Sequence, residues 1–165
     1  MPIDLGTLSQ LVLAPTLQGT SVVLNGPQTI PDSTPTVIDF TGGTAWDQLG
    51  IFDGTSTFNI TAPGIYLFNI GSGWVEPSPA TGVRQLFGNI STGGYGFFFG
   101  MQIPPANVAG RNTQMNVSYI TQFPNANPAL SYPLPVAIQM YAYQSQTVPA
   151  NLDCNYPQLT VHKIG

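Results

Sequence analysis

FDGTSTFNITAPGIYLFNI, residues 52–70, reads as a short strand, a tight corner and a long apolar strand. The first strand is Ser56–Ile60 and the corner is Thr61-Ala62-Pro63-Gly64. Pro63 presets φ at about −65°, and Gly64 supplies a left-handed or otherwise unusual backbone conformation at little steric cost. Ile65-Tyr66-Leu67-Phe68-Asn69-Ile70 is β-branched and aromatic and follows no helix-starting cap. A central strand with apolar groups on both faces is expected there.

The same texture extends outward. Upstream, Thr36–Phe40 reads as a strand closed by Gly42-Gly43, and Trp46–Phe52 as a bent connection. Downstream, Gly71-Ser72-Gly73-Trp74 prolongs the long strand with a bulge at a glycine. Glu76–Gly82 is a loop. Val83–Ile90 returns with Val83, Gln85 and Phe87 on one face and Arg84, Leu86 and Gly88 on the other. Tyr95–Ile103 holds three consecutive phenylalanines, so Phe98 is expected to face away from the core. Gln114–Ile120 alternates, with Met115, Val117 and Tyr119 inward. A proline-rich loop, Phe123–Pro135, precedes Val136–Tyr143, where Val136, Ile138 and Met140 share a face, and Leu159–Ile164 is the last strand. With about eight or nine strands, Gly/Pro loops between them and no amphipathic helix, the chain is all-β. The expected architecture is a two-sheet antiparallel sandwich with jelly-roll topology.

Residues 1–30 differ. Leu5, Leu8, Leu11, Val12, Leu13 and Leu17 give an apolar side that Pro15 keeps from being a regular helix. This segment is either an N-terminal arm needing a partner surface or a first edge strand on its own domain. Residues 31–165 form the sandwich.

At 165 residues the chain is one domain, and 42% hydrophobic residues are ample for its core. Charge is the unusual feature: 6% of residues are charged, which leaves solubility to Ser, Thr, Asn and Gln. Such a surface suits either a protein inside a larger assembly or an ordinary β-sandwich with a neutral surface. A net charge of −4, with Arg84, Arg111 and Lys163 the only basic residues, argues against nucleic-acid binding. No apolar run is long enough to span a bilayer and no basic leader precedes Leu11–Ala14, so no membrane insertion and no signal peptide are expected. A single cysteine, Cys154, fits a reducing cytoplasm, where the sequons at Asn59, Asn89 and Asn116 would stay unmodified.

Catalytic chemistry finds little to use. One histidine, His162, and one cysteine cannot build a metal site or a triad. Asp39, Asp47 and Asp53 could hold Ca²⁺ but lack the close alternation of a calcium loop, so capping of turns is the better reading. Trp46 and Trp74 could stack on a sugar, although core or interface packing suits them better. No enzyme activity and no cofactor are expected.

Phe40, Phe58, the Ala62-Pro63 corner, Tyr66 and Phe68, with the closing Leu159–Gly165, resemble the C1q and tumour-necrosis-factor-like superfamily of jelly rolls. Gly64 directly follows Pro63, which makes this corner shorter than the family's. The resemblance implies a compact homotrimer. Tyr95, Phe97, Phe98, Phe99, Tyr141 and Tyr143, more aromatic groups than one core readily holds, are then candidates for its interface. Without collagen-like repeats or disulfides, the chain looks like the bacteriophage virion branch, made in the host cytoplasm and displayed on the virion surface. A methionine about thirty residues ahead of the jelly roll leaves no stalk, which favours a capsid decoration (cement) protein whose arm grips the major capsid protein. The alternatives are a receptor-binding head that takes host surface glycan through Glu76–Gly82 and Phe123–Pro135, and a non-viral C1q-like binding module.

Overall fold

The Pro63-Gly64 corner releases a strand that is paired on both edges and carries the core. A computed structural model describes residues 18–76, 80–90, 97–105, 112–123, 134–146 and 152–165. Their strands are β1 (Gln18–Val23), β2 (Pro27–Ile30), β3 (Thr36–Val37), β4 (Thr44–Asp47), β5 (Thr57–Ile60), β6 (Gly64–Val75), β7 (Val83–Ile90), β8 (Phe97–Ile103), β9 (Asn112–Phe123), β10 (Val136–Ser145) and β11 (Leu152–Lys163). A six-stranded sheet runs β4-β1-β11-β6-β9, with β2 also on β11. A five-stranded sheet runs β3-β10-β7-β8, with β5 also on β10. Every ladder between strands is antiparallel, and the described residues contain no helix. The expected two-sheet jelly roll is the observed one.

β6 pairs with β9 along its full length, from Gly64 opposite Phe123 to Val75 opposite Asn112. Its inward residues Tyr66, Phe68, Ile70 and Trp74 are buried against Phe40, Phe58, Leu86, Ile138 and Met140. Phe40 and Phe58 meet edge to face at 6.2 Å, as do Phe68 and Phe123 at 6.3 Å, the geometry that aromatic quadrupoles favour. The corner itself is closed by the Tyr66 hydroxyl, which donates to the Ala62 carbonyl at 2.8 Å. Gly64 is needed twice over. Its φ is +156°, and a Cβ there would stand 2.5 Å from the Gly165 carbonyl oxygen.

Of the two readings of residues 1–30, residues 18–30 follow the strand packed on its own domain: β1 pairs with β11 and β4, and β2 pairs with β11, so these strands complete the sheet. Two expectations are corrected. The bulge lies in the partner strand, not at a β6 glycine. Asn155 pairs with Gly73 and Gln158 with Gly71, which leaves Tyr156 and Pro157 opposite Ser72 alone. And β11 begins at Leu152, ahead of the expected Leu159, because Pro157 falls at that bulge, where a missing N–H costs no ladder bond.

The interior also holds a charged pair. Alternation turns Arg84 inward with Leu86, and its guanidinium donates to Glu76 through Nη2 at 2.5 Å and Nε at 3.2 Å, both side chains fully buried. Arg84 Nη1 donates to the carbonyls of Thr81, Val83 and Ser145, and the Thr113 hydroxyl donates to Glu76. Glu76 and Thr113 belong to the six-stranded sheet and its exit, Arg84 and Ser145 to the other, so the pair clasps the two sheets. Glu76, expected in an open ligand-facing loop, is spent on the interior. Glu76→Ala strands a buried guanidinium and is expected to lower stability by about 3–5 kcal/mol. Urea denaturation measures it, and Lys163→Ala at a half-buried site serves as the mild control.

Candidate interaction surface

Alternation sends every second residue of β1, β6, β9 and β11 to the outer face of the six-stranded sheet, and the registers align them into rows. One row runs Trp46, Ser21, Thr160, Asn69, Ser118. The next runs Gly19, His162, Leu67, Ile120. Among the described residues, the outward positions of β1 and β6, of β9 from Gln114 to Gln122 and of β11 from Gln158 onward hold no Asp, Glu, Lys or Arg. Ser118 Oγ donates to Asn69 Oδ1 at 2.6 Å, and the Ser21 and Thr160 hydroxyls lie 3.2 Å apart, so this polar row pairs within itself.

One end of this face is apolar. Ile120 is 60% exposed and Trp46, across the sheet on β4, 48%, and Ile65 and Ile164 are exposed beyond the row of Leu67 and Ile120. Gly19 makes the local packing work: a Cβ there would stand 2.6 Å from His162 Nδ1 and 3.0 Å from the Trp46 ring, so imidazole and indole close over bare backbone. His162 Nδ1 is buried in that contact without a hydrogen-bond partner. An uncharged sheet face with large apolar groups at one end is chemically suited to burial against another protein surface.

The residues singled out from the sequence scatter. Phe40, Phe58, Tyr66 and Phe68 lie in the core, and Pro63 is exposed at the corner. Leu5, Leu8, Leu11, Val12, Leu13, Leu17 and Tyr95 lie outside the described residues, as do the side chains of Phe97 and Phe98. Phe99, a candidate for the trimer interface, is 4% exposed and belongs to the core, 5.6 Å from Phe68 and stacked on Tyr119 at 5.3 Å. Gly88 opens the space, since a Cβ there would meet the Phe99 ring at 2.3 Å. Tyr141 and Tyr143 are half-buried on the outer face of the five-stranded sheet, Tyr141 stacked on Phe87 at 5.3 Å. The six aromatics therefore do not gather on one face. Trp74 is wholly buried, whereas Trp46 joins the uncharged face. Ile120 of that face could have been found by extending the outward run of Gln114, Asn116 and Ser118 by one step.

No family model and no curated protein matches the sequence. Solved structures do. Murine APRIL at pH 5.0 superposes with a TM-score of 0.61 at 10% identity, over 90% of this chain and 99% of that one. Eiger TNF from S. frugiperda gives 0.56 at 7% identity, over 90% and 93%. The fold is that of a tumour-necrosis-factor-like jelly roll. A chain from the Gx strain of infectious bursal disease virus matches this jelly roll with a TM-score of 0.56 at 9% identity, over 92% of this chain and 33% of the viral one.

The three aspartates cap turns of the jelly roll. Asp39 accepts from Thr41 N–H at 2.8 Å, and Asp47 accepts from Thr20 Oγ1 at 2.5 Å and from the N–H groups of Ile51 and Phe52. Among the described residues, no three His, Cys, Asp or Glu side chains cluster as metal ligands. Asp53 accepts from the N–H groups of Thr55, Ser56 and Thr57. Partial burial raises its pKa, but the backbone and hydroxyl groups of Thr57 and Thr55 outweigh it and hold the carboxyl down at about 2. A pKa depressed on folding contributes stability above the unfolded value of about 4 that is lost as pH falls toward about 2. Thermal midpoints should fall across that window, and Asp53→Asn should shrink the fall.

Proposed function

We propose that this jelly roll is a non-enzymatic structural protein that associates as a homotrimer through the outer face of its six-stranded sheet. In this reading it serves at a phage virion surface as a capsid decoration protein. The observation that carries the reading is the uncharged outer face, with Ile120 and Trp46 exposed at one end of it. A chain with so few charges has little to keep copies apart, and a closed cyclic assembly covers the apolar end. The match to a segment of a viral chain is in keeping with a virion setting. The major capsid protein is the partner in this scheme, gripped by the apolar residues ahead of Gln18.

Receptor binding by a fibre head is the competing reading, and the burial of Glu76 counts against the loop assigned to it. Two experiments test the proposal. Ile120→Asp puts a charge into the apolar end and is expected to weaken self-association at least about tenfold by sedimentation equilibrium. Unchanged association would move the interface off this face. Deleting residues 1–17, which spares β1 and β2, is expected to leave a folded trimer that no longer adds to capsids stripped of the protein. Capsid addition equal to that of the full chain would overturn the decoration role, and blocking of host-cell adsorption by the free protein would favour the fibre head.

A further inference from the structure

At the other end of the same face, about 20 Å along β6 from Leu67, lies a groove of about 260 Å³. Gln114 and Asn116 of β9 and Asn155, Tyr156 and Gln158 of β11 line it over a floor at Gly73. No Asp, Glu, Lys or Arg takes part. The volume lies just under the range of clefts that hold small molecules, about 300–1,000 Å³.

Three features build this groove. The bulge in β11 re-aims Tyr156, which sits at φ +46° with 64% of its surface exposed. A bulky residue in that backbone region is strained, and the bulge holds it there with its ring at the rim. Glycine then clears the floor. A Cβ at Gly71 would stand 2.2 Å from Asn116 Oδ1 and 2.9 Å from Gln158 Nε2, and one at Gly73 would stand 2.7 Å from Gln114 Nε2. The amide heads therefore lie down across bare backbone. Beneath them Ser72 Oγ fixes the bulge from inside, donating to the Asn155 carbonyl at 2.8 Å with Cys154 Sγ at the same distance. The polar row through Asn69 and Ser118 satisfies itself, but no such bond joins the four amide heads of the groove among the described residues.

An amide head offers two donors and an acceptor with two lone pairs, and carries no charge. Four of them beside an exposed phenol ring match a ligand with neighbouring hydroxyls, each both donor and acceptor, and a flat C–H face to lay on the ring. Pyranose sugars have that chemistry. We propose that the groove at the Tyr156 bulge is a binding site for a neutral saccharide one or two residues long. Charged sugars are disfavoured, because no cation stands there to pair with a carboxylate. The groove lies on the face of the proposed trimer, at the end away from Ile120, and needs that end left open, but sugar binding requires neither the trimer nor capsid attachment.

The test uses the full-length protein and saturation-transfer NMR with glucose, galactose, mannose, N-acetylglucosamine and their β1–4-linked dimers, with sialic acid as the anionic probe. At least one neutral sugar is expected to bind with a millimolar Kd and to exceed sialic acid. Tyr156→Ala and Gln158→Ala should each weaken it about tenfold, about what one aromatic stack or buried amide pair contributes, whereas Tyr156→Phe should keep it. Circular dichroism verifies that each variant is folded. Should Tyr156→Ala unfold, Asn116→Asp and Gln158→Ala decide. Absence of binding by every neutral sugar, equal binding of sialic acid, or binding unmoved in the folded variants would overturn the proposal.

Discussion

The Arg84–Glu76 pair fixes how the two sheets of this jelly roll meet. The chain crosses from one sheet to the other between these residues, and the crossing is sealed by a guanidinium that touches both. A buried ion pair adds little net stability over a well-packed apolar pair, because two charges must leave water. Geometry is where it acts. Five N–H donors in a rigid fork are met by one carboxylate and three carbonyls, and only one placement of β7 beneath the end of β6 brings those acceptors together. The aromatic layer between Phe40, Phe58 and Phe68 supplies the cohesion, and the clasp sets its registration.

How much of this was legible follows from the range over which each signal acts. The spine from Phe58 to Phe68 could be read because alternation and corner chemistry are local, and each residue announces its own neighbours. Arg84 could be placed with Leu86 and Gly88 by the same alternation. Its partner could not, since Glu76 stands behind a Pro-rich loop and Thr113 comes from another strand. Pro157 concealed the first half of β11 for a related reason: a proline ends a strand unless it falls at a bulge, and this bulge forms in β11 opposite Ser72, far back in the chain.

The aromatic residues singled out for an interface scatter for a different reason. Counting aromatic residues finds a surplus but not its direction. Phe99 goes inward because Gly88 leaves room for its ring, and Tyr141 goes outward on the opposite sheet. What marks the outer face of the six-stranded sheet is that, among the described residues, its outward positions on β1, β6, β9 and β11 from Gln158 on carry no charge, which no single stretch displays. The same logic explains why solved structures at 7–10% identity share the fold while no family model matches. A jelly roll asks only for inward apolar residues at alternate positions and for corners that turn, and many sequences meet that demand.

Freedom on the outward positions is therefore where function can be written. On β6 the outward series passes from the bulky apolar Ile65 and Leu67 through Asn69 to the bare Gly71 and Gly73, and ends at the exposed Val75. Its neighbours follow the gradient: Ile120 stands beside Leu67, Ser118 beside Asn69, Asn116 beside Gly71. Sheet stability alone does not ask for this, since glycine weakens a strand interior and exposed isoleucine gains nothing in water. Each end sacrifices stability in its own way, one leaving apolar area uncovered and the other leaving amides unpaired above bare backbone. Two such departures at opposite ends of one uncharged face make sense if the ends meet different partners, a protein surface at Ile120 and a small neutral ligand at Tyr156.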